Sequence, residues 1–186
     1  MQHISKSELG VQPIKGPFSY YLNQYETAIL IALVKSVAPK VMIEFGCNLG
    51  MTARRVLDNV PTLDRYIGID APHDHKPPLA CQQSEVPKEP GRFAANDERF
   101  WLLLTTLPLP EDLEPCDAAF IDGDHSAEGV RRDTILARAL IRPGGIIVWH
   151  DAGNKNVEVT PVLERLCEQG WPIHHVEGSW IAFCRV

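Results

Sequence analysis

The sequence predicts an α/β protein, doubly wound around a mostly parallel, seven-stranded Rossmann-like sheet that ends in an antiparallel hairpin. Three observations predict it. From Pro39 onward, short apolar β-rich runs alternate with segments of helical period. Several of those runs end in an acid, at Glu44, Asp70, Asp122 and Asp151. After the last helical segment, two short runs at 173–177 and 180–185 are separated by little more than Gly178 and Ser179, which is a hairpin signal.

The elements follow in order. Residues 1–18 are polar with Gly and Pro and read as an extended arm. Residues 20–38 place Tyr21, Tyr25, Ile29, Ile31, Leu33 and Val34 at helical spacing and stop before Pro39. Val41–Phe45 is apolar on both faces, as a central parallel strand must be. A helix over 49–57 and a strand over Arg65–Asp70 come next. Residues 71–97 differ: they carry Pro72, Pro77, Pro78, Pro87 and Pro90 and few apolar side chains. A loop this long is a lid, a binding loop or a disordered segment, and its place after a strand end favours a lid. Strands over 100–105 and 116–122, a helix over 128–141, a turn at Pro143-Gly-Gly145 and a strand over 146–151 continue the alternation. A helix over 159–169 ends at Gly170. One domain over 1–186 is expected, with no internal repeat.

Composition narrows the function classes. No apolar run reaches the ~20 residues of a membrane span, and the first ten residues lack a signal-peptide shape. The expectation is a cytoplasmic protein. A net charge of −6 disfavours broad binding to nucleic acid or anionic lipid. The five cysteines, Cys47, Cys81, Cys116, Cys167 and Cys184, are scattered without a C-x-x-C pair, so neither a zinc knuckle nor a disulfide framework is expected.

The chemistry-bearing residues collect at strand ends, where open α/β sheets bind ligands. Gly46 and Gly50 bracket a tight turn between a strand and a helix, the arrangement by which such proteins bring backbone close to a nucleotide-like ligand. Asp70 lies about 25 residues on, near the spacing of a ribose-binding acid. Asp122, Asp124, His125, His150 and Asp151 form a second set, of types that serve acid–base work or hold a divalent ion. The bland reading stands beside it: Ser126 and Asp124 cap the following helix, and His150 supports the pocket. His73 and His75 fall in the lid segment. His174 and His175 alternate faces, so at most one points inward. Trp149 and Trp180 read as core.

On these residues the chain resembles the class I S-adenosylmethionine-dependent methyltransferases. It is most similar to a small bacterial and phage-type group with a strand like Phe120-Ile-Asp-Gly-Asp-His-Ser126 and a later Pro-Gly-Gly…His-Asp. The resemblance runs from Pro39 to the C-terminus, apart from the proline-rich insert. Glu44-Phe-Gly-Cys-Asn-Leu-Gly50 matches the family's E-x-G-x-x-x-G loop, with Asn48 where many members have glycine; asparagine tolerates the left-handed conformation such a position demands. The resemblance implies an adenosylmethionine pocket. Gly46, Asn48 and Gly50 would lie against the methionine part and Asp70 would bind the ribose. Asp122 would border the cofactor, and Glu44 would organise the loop or touch the ligand.

The strand-end set is also similar to that of metal-dependent catechol-type O-methyltransferases. That similarity implies Asp122, His150 and Asp151 as a metal set, with His150 departing from the acid expected there. Where those enzymes carry a lysine base, this chain has His125. Its unperturbed pKa of about 6.5 suits removal of a hydroxyl proton near neutral pH. His125, His150 and Asp122 are the candidate catalytic residues.

The expected activity is methyl transfer to a small hydroxylated or amine-bearing molecule, O-methylation foremost, a homodimer being compatible with the amphipathic N-terminal helix. Three alternatives remain open: a non-catalytic adenosyl-ligand-binding or structural protein that keeps the fold, a nicotinamide dehydrogenase and a nucleic-acid methyltransferase. The loop spacing and the hairpin disfavour the dehydrogenase, and the acidic balance disfavours the last.

Overall fold

The computed structural model of the protein describes residues 1–14, 22–106 and 108–186. The beginning of the helix expected from residue 20, with Tyr21, and the end of the N-terminal arm lie outside the described residues. Among the described residues, eight strands occur in chain order: β1 (Gln2–Ile4), β2 (Val41–Phe45), β3 (Arg65–Asp70), β4 (Phe100–Leu104), β5 (Cys116–Ile121), β6 (Ile141–Trp149), β7 (His174–Val176) and β8 (Ala182–Arg185). Four α-helices accompany them: α1 (Gln24–Lys35), α2 (Met51–Asn59), α3 (Ala127–Leu140) and α4 (Val159–Glu168).

The strands form one sheet in the order β1-β7-β8-β6-β5-β2-β3-β4. Only β8 runs antiparallel to its neighbours, β6 and β7. From β2 the chain winds outward through β3 to β4, then returns to the other side of β2 as β5 and continues to β6. The topological switch point therefore lies between β2 and β5, where ligands of doubly wound sheets bind.

Alternation along the strands builds a core on each face. Met42, Tyr66, Phe120 and Val148 pack with Ile29, Leu33 and Val56 of α1 and α2. Ile43, Ile67, Ile121 and Trp149 pack with Val130 of α3 and Leu163 of α4. Central strands buried on both sides must be apolar throughout, and every residue of β2 is buried. Glu44 is the polar exception, and its partner is described below.

The sheet has eight strands, not the expected seven. The polar arm supplies the extra one: Gln2–Ile4 pairs in parallel with His174–Val176. Backbone pairing at an edge needs little apolar surface, and a tripeptide with one apolar side chain, Ile4, is too short to give a period-2 signal. The turn expected at Pro143-Gly-Gly145 is instead part of β6, beside a register shift between Cys116 and Ala118 of β5. Among the described residues, no helix is long and apolar enough to cross a membrane.

Candidate active site

Three backbone hydrogen bonds bring the strand ends into one row. The carbonyl of Ile69 accepts the N–H of Gly46 at 2.8 Å, Phe45 accepts from Asp122 at 2.9 Å, and Ile121 accepts from His150 at 3.1 Å. The last carbonyl of β2 and of β5, and the last but one of β3, thus bind the first N–H beyond a neighbouring strand. Asp70, Gly46, Asp122 and His150 follow one another across the carboxyl edge because β3, β2, β5 and β6 do. A cleft of about 950 Å³ opens there, of the size small-molecule sites have.

The glycine loop is shaped by the protein's own backbone. Gly46 has φ +84°, and a Cβ on it would lie 2.4 Å from the carbonyl oxygen of Asp122 and the Cα of Gly123. At Gly50, with φ +77°, a Cβ would lie 2.8 Å from the carbonyl of Gly91 in the insert. Both glycines are needed for chain-to-chain approach, and Gly46 also borders the cleft. Asn48 adopts φ +48°, a left-handed conformation that asparagine tolerates. Its N–H donates to Asp70 at 2.6 Å and its side-chain amide to the Glu85 carbonyl at 2.9 Å. Asp70 also accepts the N–H of Ala71 at 2.7 Å, so each of its oxygens is oriented by backbone at the cleft wall. Burial raises the Asp70 carboxyl above its usual range against these two donors.

Glu44 stands behind the wall. It is 1% exposed and accepts the Tyr66 hydroxyl at 2.8 Å. Burial pushes its carboxyl well up, the Tyr66 bond opposing.

At the other end of the cleft, carboxylates and imidazoles interlock. Asp122 Oδ1 lies 3.3 Å from His125 Nε2 and 3.2 Å from His150 Nδ1. Asp151 Oδ2 lies 3.3 Å from His125 Nδ1 and 3.4 Å from His150 Nδ1. His125 is therefore held at both ring nitrogens between two acids. Burial alone would depress both histidines and raise Asp122. The facing charges and hydrogen bonds overcome it, so His125 rises, His150 rises well above its ordinary value and Asp122 falls well below. Asp122, His125 and Asp151 offer ligand atoms within 4.8 Å of one another. The imidazole in that convergent group is His125; His150 also faces the same two acids through Nδ1, at 3.2 and 3.4 Å, and lies 3.4 Å from Glu26 of α1 through Nε2.

Three contributors were not foreseen. Glu26 is buried, and its other oxygen accepts the Trp180 N–H at 2.8 Å. Asn23-Gln-Tyr-Glu26 is legible as a capping box, and Asn23 does cap α1; that Glu26 also reaches two other segments is a tertiary fact. Gln82, in a short 3₁₀ turn of the insert, donates to the Gly123 carbonyl at 2.8 Å and accepts the His125 N–H at 2.9 Å. Nothing in the sequence singles it out. Trp180 was expected in the core but is 44% exposed and lines the cleft; Trp149 is fully buried, its indole donating to Thr134.

The bland reading of the 122–126 segment also holds locally, since Ser126 caps α3 by accepting the Gly129 N–H. Capping and site-building coexist because the cap side chain is Ser126 while Asp122 and His125 turn to the cleft. Of the two histidines in the 71–97 insert, His75 lines the cleft.

The methyltransferase-domain family matches residues 43–152, more than half of the chain, from β2 through the segment that follows β6. The chain belongs to this family. Its fold is that of the class I S-adenosylmethionine-dependent methyltransferases. Among solved structures, precorrin-6y C5,15-methyltransferase from Geobacter metallireducens is 16% identical with TM-score 0.62, covering 90% of this chain and 92% of that one. The O-methyltransferase NovP reaches TM-score 0.68 at 12% identity, over 88% and 80%. An O-methyltransferase from Bacillus cereus in complex with S-adenosylhomocysteine reaches 0.58 at 14%, over 97% and 86%. No curated protein matches the sequence. As a methyltransferase-domain protein the chain has within its family match the ends of β2 and β5 that border the switch point.

Proposed function

We propose that this methyltransferase uses S-adenosylmethionine to methylate an oxygen of a small hydroxylated molecule. The observation that carries the proposal is the His125 imidazole, held at both nitrogens by Asp122 and Asp151 at the cleft, across the switch point from the glycine loop.

The wall fits an adenosyl cofactor. The loop Gly46–Asn48 offers close backbone, and Asp70 is preset by two N–H donors at the cleft, with lone pairs left for ribose hydroxyls. The cofactor supplies an electrophilic methyl on a sulfonium. The acceptor hydroxyl would take the place of Asp122 at Nε2, where neutral His125 accepts its proton, while Asp151 at Nδ1 orients the ring and stabilises it once charged. Glu26 fixes His150, which holds Asp122 and Asp151 from the sheet side. The 71–97 insert forms the acceptor-side wall through Gln82, Glu85 and Phe93.

A second reading is favoured by the convergence of Asp122, His125 and Asp151 on one point. They would hold a divalent cation, whose charge lowers the pKa of a bound hydroxyl. A mixed imidazole and carboxylate set suits Mn²⁺, Fe²⁺ or Zn²⁺.

The test is methyl transfer from labelled S-adenosylmethionine to a panel of catechols, phenols and sugars, with chelator or with added Mn²⁺. Turnover that falls ~100-fold or more in both His125→Ala and Asp122→Ala supports the assignment. Chelator sensitivity selects the second reading. Full turnover in both variants would overturn the site.

A further inference from the structure

A second pair of histidines lies at the far edge of the sheet. His3 of β1 and His175 of β7 are register partners on adjacent parallel strands. Their Nδ1 atoms face each other at 3.4 Å, with ring planes at 78°. His175 Nε2 lies 2.9 Å from the carbonyl of Ser179 and 3.2 Å from that of Ala152. Carbonyl oxygens only accept, so Nε2 carries the ring proton and Nδ1 of His175 presents a bare lone pair towards His3.

We propose that His3 and His175 are a binding site for a borderline transition-metal ion, Zn²⁺ being the representative case. Two observations converge. Nitrogens about 2.0–2.1 Å from a tetrahedral zinc lie about 3.3–3.4 Å apart, and the two Nδ1 atoms are already at that separation. Metal-bound histidines donate the other ring N–H to a carbonyl or carboxylate, which fixes the tautomer and raises the basicity of the ligand atom; His175 makes two such bonds. His3 is exposed, so water can complete the coordination. His174, the neighbour in sequence, turns away and stacks on Phe183.

The ion would clamp the short strand β1 to the sheet. It would also bear on the cleft, because Ala152 follows Asp151 and Ser179 precedes Trp180, both cleft residues. The site is separate from the Asp122–His125–Asp151 group and does not depend on the function proposed above.

The test is a Zn²⁺ titration of the full, tag-free chain by calorimetry and by ¹⁵N spectra of the histidine rings, in wild type and His3→Ala. The expected result is that the Nδ1 resonances of His3 and His175 shift together. His3→Ala, a surface change, then loses one binding event or weakens it at least tenfold, while β1 amides of the wild type gain exchange protection with the metal. Unmoved Nδ1 resonances, or a His3→Ala isotherm that superimposes on the wild type, would overturn the proposal.

Discussion

The side chain of Gln82 grips the backbone on both sides of Asp124, donating to the Gly123 carbonyl at 2.8 Å and accepting the His125 N–H at 2.9 Å. The insert is thereby fastened to the loop that carries two site residues. It is fastened to the glycine loop as well, through Gly91 N–H to the Asn48 carbonyl at 2.7 Å and Phe93 N–H to that of Leu49 at 2.9 Å.

Gln82→Ala leaves two backbone groups without their partner in a largely buried place, a loss of about 1–3 kcal/mol. Because the loss falls on the position of His125, kcat should drop at least tenfold with the KM for the methyl donor changed less than threefold, by the logic that links positioning to the chemical step. Steady-state kinetics with both substrates checks this.

Gly46→Ala should be the most damaging single methyl in the chain. The new Cβ meets only backbone, at 2.4 Å, in a left-handed conformation, and neither the Asp122 carbonyl nor Gly123 can rotate away. A destabilisation above about 3 kcal/mol is expected. Gly144→Ala is the control: φ is equally positive at +84°, but nothing lies within 4 Å, so only conformational strain of about 1–2 kcal/mol applies. Urea unfolding of the two variants separates steric clash from backbone strain.

Glu26→Ala removes the acceptor of the Trp180 N–H and the carboxylate that faces His150 inside the protein. The cost should be about 3 kcal/mol, as for other buried charge pairs broken on one side. Glu26→Gln keeps one acceptor for Trp180 and should recover part of it. Thermal unfolding of both variants decides whether α1 is coupled to the site through this residue.

Asp97 sets an acid limit on stability. Arg99 binds it with two nitrogens, Nε at 2.9 Å and a terminal nitrogen at 2.7 Å, and Arg54 lies 3.1 Å away. The Arg99 hydrogen bonds hold its carboxyl down to about 2 against an ordinary 3.8, burial opposing. A carboxyl depressed in the folded state adds stability that is complete above the unfolded value and is lost as pH falls through the folded one. About 2 kcal/mol should therefore disappear between about pH 4 and pH 2. Denaturant unfolding across that range should show a flatter acid limb in Asp97→Asn than in the wild type.

The sheet's middle was legible because strands buried on both faces must be apolar: β2, β3 and β5 lie within a residue of where periodicity puts them. Asp70 and Asp122 were legible at the edge for the same reason, since the first polar residue after such a run marks its exit from the core; Glu44 is the exception, buried within β2. The rest depends on pairings between distant segments. β1 is built by backbone pairing with β7, which a three-residue run with one apolar side chain does not advertise. The glycines were read as making room for a ligand, whereas the space beside Gly46 and Gly50 is filled first by Asp122, Gly123 and Gly91. Glu26, 124 residues from His150, could be read only as a helix cap. That both His125 and His150 face Asp122 and Asp151 turns on side-chain direction after a strand end, which spacing does not encode.

The central claim is that the cleft takes an adenosyl cofactor against Asp70 and the Gly46–Asn48 loop. The most direct test is calorimetric binding of S-adenosylmethionine and S-adenosylhomocysteine to wild type and to Asp70→Ala, with and without Mn²⁺. The account predicts one ligand per chain and at least tenfold weaker binding in the variant, which loses both the ribose acceptor and the anchor of the Asn48 N–H. Absence of binding by either ligand to the folded wild-type chain, or equal affinity in Asp70→Ala, would contradict it.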